Sequence, residues 1–166
     1  MQAEHGDLER NYGNDMKKVI IGIIVLIIVA LAYWIGVPLF TDKKVSEELD
    51  FSAEEAQPVL VLRGLFQGFD RIHTGGGNVS VLKVGEKYII RFEENFNVAN
   101  GPALVVGFGK DGEYIKGSDI AELKGNIGSQ NYEVPANINI NDYNEVWIWC
   151  KAFSVGFAKA KLTPSI

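Results

Sequence analysis

The chain has 166 residues, of which 47% are apolar, with 16 Lys or Arg against 21 Asp or Glu and a single cysteine, Cys150. That length fits one domain of ordinary size once a tail and an apolar segment are set aside. The acidic balance argues against a phosphate-backbone ligand, so nucleic acid is not expected as a partner, and one cysteine excludes an intrachain disulfide.

In chain order, residues 1–18 read as a polar tail. Val19 to Phe40, VIIGIIVLIIVALAYWIGVPLF, then runs for 22 residues without a charge. As a helix rising about 1.5 Å per residue this segment reaches about 33 Å, which matches a hydrocarbon core about 30 Å thick. Residues 19–40 are therefore expected to be a transmembrane helix in contact with membrane lipid. Tyr33 and Trp34 suit the interface, and Lys17, Lys18, Lys43 and Lys44 mark its edges. A buried core helix would show a polar stripe. A cleaved signal peptide is the other alternative, with Ala30-Leu31-Ala32 as an A-x-A site, although the apolar run continues past that site to Phe40. Arg10, Lys17 and Lys18 before the span, against Lys43 and Lys44 after it, favour a single-pass protein with a cytoplasmic N-terminus and an extracytoplasmic C-terminal domain.

Residues 41–58 read as an acidic juxtamembrane linker. Ser52-Ala53-Glu54-Glu55 has the form of a helix capping box, and Pro58 would stop such a helix. Residues 59–166 read as the folded domain, where from Val45 onward 11 Lys or Arg face 16 Asp or Glu. Short runs rich in Val, Ile, Tyr and Phe are punctuated by glycines, and helical periodicity is hard to find. Strands are expected at Val59–Gln67, Asn78–Val84, Lys87–Phe92, Ala103–Gly109, around Tyr114, and at Asn131–Val134, Val146–Phe153 and Val155–Leu162. Turns fit Gly75–Gly77, Val84–Lys87 and Asp111-Gly112. Asn137 to Asn141 alternates briefly, as an edge strand or an extended loop would. The fold class is all-β: an antiparallel β-sandwich or barrel-like domain of about eight short strands after one transmembrane helix.

Two side chains stand out chemically. Period-two alternation puts Val146, Ile148, Cys150 and Ala152 on one face of their strand and Trp147, Trp149, Lys151 and Phe153 on the other. A lone Cys among aliphatics is usually a buried hydrophobe, yet an unpaired thiol outside the cytoplasm risks oxidation and wrong pairing, which hints at a use. His73 is the one histidine outside the N-terminal tail, just before Gly75–Gly77. One His and one Cys would need carboxylates to complete a zinc site, so no metal is expected. The three glycines lack the G-K-[ST] of a phosphate loop. No Ser-His-Asp set, G-x-S-x-G elbow or close carboxylate pair supports a hydrolase or transferase.

The stretch from Leu62 to Leu162 resembles the DM13 domain, a small extracytoplasmic β-sandwich-type module proposed to take part in electron transfer. The resemblance rests on Gly64-Leu65-Phe66 leading to His73 and Gly75–Gly77, on Tyr88 to Phe92 followed by Asn100-Gly101-Pro102-Ala103-Leu104, and on Leu123-Lys124-Gly125-Asn126 with Gln130 to Pro135. Its most specific block is Val146-Trp147-Ile148-Trp149-Cys150-Lys151-Ala152-Phe153-Ser154-Val155, through Phe157 and Ala160. The resemblance implies that Cys150 is the near-invariant cysteine, working as a bare thiol or as a ligand to a prosthetic group such as haem, and that His73 is a recurrent neighbour. Two positions depart from the pattern: Ala103 replaces the usual acid of G-P-D-L, and Ala158 a frequent glycine. Two functions are thus expected to compete. One is a redox module with Cys150 as thiol or ligand, partnered by a redox protein; the other is a cell-surface binding or adhesion module, partnered by a surface protein, in which Cys150 is structural.

Overall fold

The structure is a computed structural model, and it describes residues 3–50 and 56–165. The capping box at 52–55 lies outside the described residues. The chain divides into two compact units, residues 1–39 and 40–166.

The first unit is one helix, α1 (Ala3–Phe40). From Met16 to Trp34 its mean hydropathy is 2.4, and none of that stretch is buried against protein. Large aliphatic side chains with no protein partner need an apolar surrounding. By length and composition this helix can cross a membrane.

The second unit is antiparallel β. Its strands are β1 (Val59–Gly68), β2 (Gly75–Gly76), β3 (Asn78–Val84), β4 (Lys87–Phe92), β5 (Asn97–Val98), β6 (Leu104–Lys110), β7 (Glu113–Tyr114), β8 (Ala121–Glu122), β9 (Gln130–Glu133), β10 (Glu145–Cys150), β11 (Val155–Lys161) and β12 (Thr163–Pro164). One curled, half-barrel sheet runs in the order β7-β6-β10-β11-β1-β3-β4-β9, with β8 on β6 and β12 on β1, while β2 and β5 form a separate pair. The all-β expectation is met, and all eight expected strands are present. The four further strands, β2, β5, β8 and β12, are two residues each, too short to carry an alternation. Asn137 to Asn141 is not a strand: it leads into a 3-10 turn at Ile140–Asp142, where the Asn139 side chain accepts from the Asn141 backbone N–H.

Curling turns one face of the sheet inward. Val81, Ile90, Phe92, Val106, Phe108, Val146, Ile148 and Cys150 are all fully buried there. A knot of rings joins β1 to β4, with Phe66–Phe92 at 4.9 Å, Phe66–Phe96 at 5.2 Å and Phe92–Phe96 at 4.5 Å between centroids. The two Phe66 pairs are edge-to-face, a geometry that adds to plain area burial. Residues 41–50 carry no regular strand but are stitched to the domain. The Val45 N–H donates to the Ile127 carbonyl at 2.9 Å, and Lys124 Nζ donates to both Glu47 carboxylate oxygens at 2.8 Å.

Register fixes which loops share an end. Cys150 pairs with Leu104 of β6 and Val155 of β11, and Gly68 of β1 pairs with Ala158. Three loops therefore gather beyond Cys150: residues 69–74 after β1, 99–103 before β6, and the turn 151–154 between β10 and β11. The Ala99 N–H donates to the Thr74 carbonyl at 2.8 Å and the Lys151 N–H to the Ala103 carbonyl at 3.1 Å, binding the three together. Asp42 arrives at this same end, its carboxylate accepting from the Asn100 and Asn126 side chains at 2.9 and 2.8 Å.

Candidate functional site

Cys150 is the last residue of β10. Alternation carries its side chain to the inner face with Val146 and Ile148, and its exposure is 0%. The thiol finds one polar partner: Sγ donates to the Pro102 carbonyl oxygen at 3.0 Å. That carbonyl belongs to the 99–103 loop, so the sulfur is closed off by loop backbone on the side toward the domain end. The alternation expected to run on through Phe153 stops at Cys150. Residues 151–154 form an exposed turn, with Ser154 at φ 54, a left-handed conformation that no strand contains.

β11 contributes the second half of the site. Ile148 pairs with Ala158 while Trp149 pairs with Gly156, so Phe157 is the extra residue of a β-bulge. A bulge breaks the alternation, and Phe157 and Ala158 are both buried, at 5% and 0% exposure. The Phe157 ring lies over Gly101, where an added Cβ would sit 2.5 Å from Cζ and 2.7 Å from Cε1.

His73 packs against that ring edge-to-face, at 4.7 Å between centroids and 73° between planes. Its Nδ1 meets Asp70 Oδ2 at 2.7 Å, and Asp70 Oδ1 accepts from the backbone N–H groups of Ile72 and His73, both at 2.7 Å. The Asp70 carboxyl is held down to about 2, first by the His73 backbone N–H, then by the His73 ring and the Ile72 N–H. His73 and Cys150 thus belong to one end of the domain but share no hydrogen bond. A run of contacts joins them: His73 on Phe157, Phe157 on Gly101, and Pro102 on Cys150.

This packing tests the haem expectation. A macrocycle with its iron on Sγ needs an open face at the sulfur, and Cys150 has none: Pro102 caps it, and no space remains beside Gly101 for one methyl group. The residues present do not fit a haem ligated by Cys150. Among the described residues no group of three His, Cys, Asp or Glu side chains converges as a metal site.

Sequence reasoning did not single out Pro102, Phe157 or Asp70 as site residues. For Asp70 a signal existed, since an Asp three residues before a His in a short loop can form an Asx-type turn and reach the ring. Pro102 lies 48 residues from Cys150 in sequence, and no local pattern joins them.

The outer face of β10 is aromatic. Trp149 stacks on Tyr114 at 4.5 Å and 2°, Trp147 meets Phe69 at 5.1 Å, and Lys159 Nζ lies 5.2 Å over the Trp147 ring. Trp147 Nε1 donates to Glu145 at 2.9 Å, which Lys159 neutralises at 3.4 Å. With the Trp147 ring nitrogen and the Glu145 carboxylate partnered, this face forms a second layer over the strand that carries Cys150.

No curated protein and no solved structure matches the chain. The family model described as Electron transfer DM13 matches residues 69–162, a span that holds Asp70, His73, Pro102, Cys150 and Phe157. That match covers more than half of the sequence, and the chain belongs to the electron transfer DM13 family.

Proposed function

We propose that this protein is a membrane-anchored, extracytoplasmic redox module in which Cys150 is a shielded thiol, reached by local opening of the loops that close over it. The observation that carries this reading is the cap on the sulfur. On the side toward the domain end Sγ is covered by the carbonyl of Pro102, a loop residue, and Cys150 is followed at once by four exposed turn residues. Loops open at lower free energy than core strands. A thiol shut behind a loop is protected from adventitious oxidation outside the cytoplasm and is still released without unfolding the sheet. Family membership supports the electron-transfer assignment, and α1 supports the anchor.

The test is the rate at which a small thiol reagent modifies Cys150 in the full chain, held in lipid nanodiscs without denaturant. The reading expects modification much faster than global unfolding, measured on the same sample by pulse proteolysis. Modification no faster than unfolding would sink it.

One observation favours a second reading, a surface binding module in which Cys150 is packing: the sulfur has 0% exposure. On that reading Cys150→Ala keeps all function and costs about 1 to 3 kcal/mol of stability.

A further inference from the structure

We propose that the end of the β domain carrying residues 69–74 and 151–154 docks onto the lipid surface of the membrane that α1 crosses, inserting Ile72 and Phe153 into its headgroup region.

The two most exposed large apolar side chains among the described residues of the β domain are Ile72, at 78%, and Phe153, at 67%. Single exposed apolar residues on a protein surface need no explanation. These two sit in different loops that the register brings to the same end, and Phe69, at the start of the first of them, is 44% exposed. The Phe69 ring lies beside Gly156, three residues after Phe153, where an added Cβ would be 2.6 Å from Cε2. The exposed residues at this end also include Lys43, Lys44 and Arg71. Asp42 and Asp70 share this end but are engaged by Asn100, Asn126 and His73, and apolar tips beside Lys and Arg suit the lipid interface. At the opposite end the β3–β4 turn is polar, Gly85-Glu86 flanked by Lys83 and Lys87, and the exposed apolar residues there, Val59 and Leu60, lie within strand β1 and not at a loop tip.

Chain connectivity selects lipid as the occupant. α1 ends at Phe40, and Asp42 is already bound into the domain by Asn100 and Asn126, with the Lys43 N–H donating to Asn126 Oδ1 at 2.6 Å. Two residues of extended chain reach at most about 7 Å. For a helix that spans the bilayer to its last turn, the point where the chain joins this end of the domain lies two residues from the headgroups. A second copy of the chain has no such constraint.

The docking rests on the anchor reading and not on the redox role of Cys150. Full-length Ile72→Cys, Phe153→Cys and Glu86→Cys, each in a Cys150→Ala background, would be labelled with a polarity-sensitive fluorophore and reconstituted into phosphatidylcholine vesicles. The Ile72 and Phe153 labels are expected to shift to the blue and to lose most of their emission when the lipid is brominated high on its chains. The Glu86 label should do neither. Alkaline carbonate extraction of the same vesicles reports on the anchor alone. Chain retained with labels at 72 and 153 as unquenched as the one at 86 overturns the docking and leaves the anchor standing; chain released with all three unquenched overturns both.

Discussion

Gly101→Ala probes the link between Phe157 and Cys150 with one methyl group. Gly101 does not adopt a positive φ, so Ala brings no backbone strain, and the whole effect is steric. The new Cβ would sit 2.5 and 2.7 Å from two Phe157 ring atoms and 3.1 Å from Leu104 Cδ2. The ring cannot swing clear, because it is 5% exposed and His73 stands against it. Overpacking of this kind costs about 1 to 3 kcal/mol. The strain falls on the closed 99–103 loop and is relieved when that loop opens, so it acts on the opening that frees Sγ from Pro102. A factor of ten for each 1.4 kcal/mol turns about 1 to 3 kcal/mol into a roughly 5- to 150-fold faster reaction of Cys150 with a thiol reagent, in native buffer. Gly101→Ala with Phe157→Leu, which removes the ring edge, should return most of the protection, because the two sites are in contact and their effects do not add. Labelling within twofold of the parent, with an unchanged Tm, would refute the coupling of Phe157 to the thiol.

Three further outcomes follow from the same geometry. Folding depresses the Asp70 carboxyl from an ordinary 3.8 to about 2, so the order it gives the 69–73 loop is complete above about pH 4 and fades as pH falls toward 2; NMR titration of the Asp70 carboxyl and of the Ile72 and His73 amides should show a shared midpoint near 2, and a midpoint near 4 would break the assignment. Burial pushes the Tyr114 and Tyr132 hydroxyls up, with the Asp119 charge adding to it at Tyr114, so alkaline titration followed by phenolate absorbance should ionise these two only as the domain unfolds. Ala103 holds φ 52 with its side chain exposed, and Ala103→Asn, suited to that region, should gain about 0.5 to 1 kcal/mol and raise Tm by a few degrees in calorimetry.

Much of the sheet was legible because alternation and turn chemistry agree over β3 and β4. Asn78–Val84 and Lys87–Phe92 are bounded as expected, since Gly85 at φ 59 supplies the left-handed residue of the turn between them. Legibility fails where the cause is not local. Ala152 and Phe153 continue the pattern of β10, yet the chain leaves the sheet at Cys150 because the turn to β11 must begin there. Gly75 and Gly76 read as a turn and are a strand: they pair with Asn97 and Val98, and a Cβ on Gly75 would press on Ala158 Cβ at 2.5 Å. Those glycines serve close approach as well as bending. At the site, alternation assigned Cys150 its inward face, whereas the cap from Pro102 and the wedge of Phe157 come from a distant loop and a bulge.

The bulge at Phe157 also accounts for why His73 and Cys150 gather at one end without touching. With regular alternation across Val155 to Ala158, Phe157 and Ala158 would face opposite sides and only one of them could fill the inner layer. The extra residue turns both inward, Ala158 beneath Gly75 and Phe157 over Gly101. The Phe157 ring takes the contact with the imidazole, and the histidine orients a loop through Asp70. The thiol's polar partner is a backbone carbonyl and not a base. On the proposed reading of a sulfur that stays quiescent until its loop opens, the stability of the 99–103 loop, more than the chemistry of His73, governs Cys150.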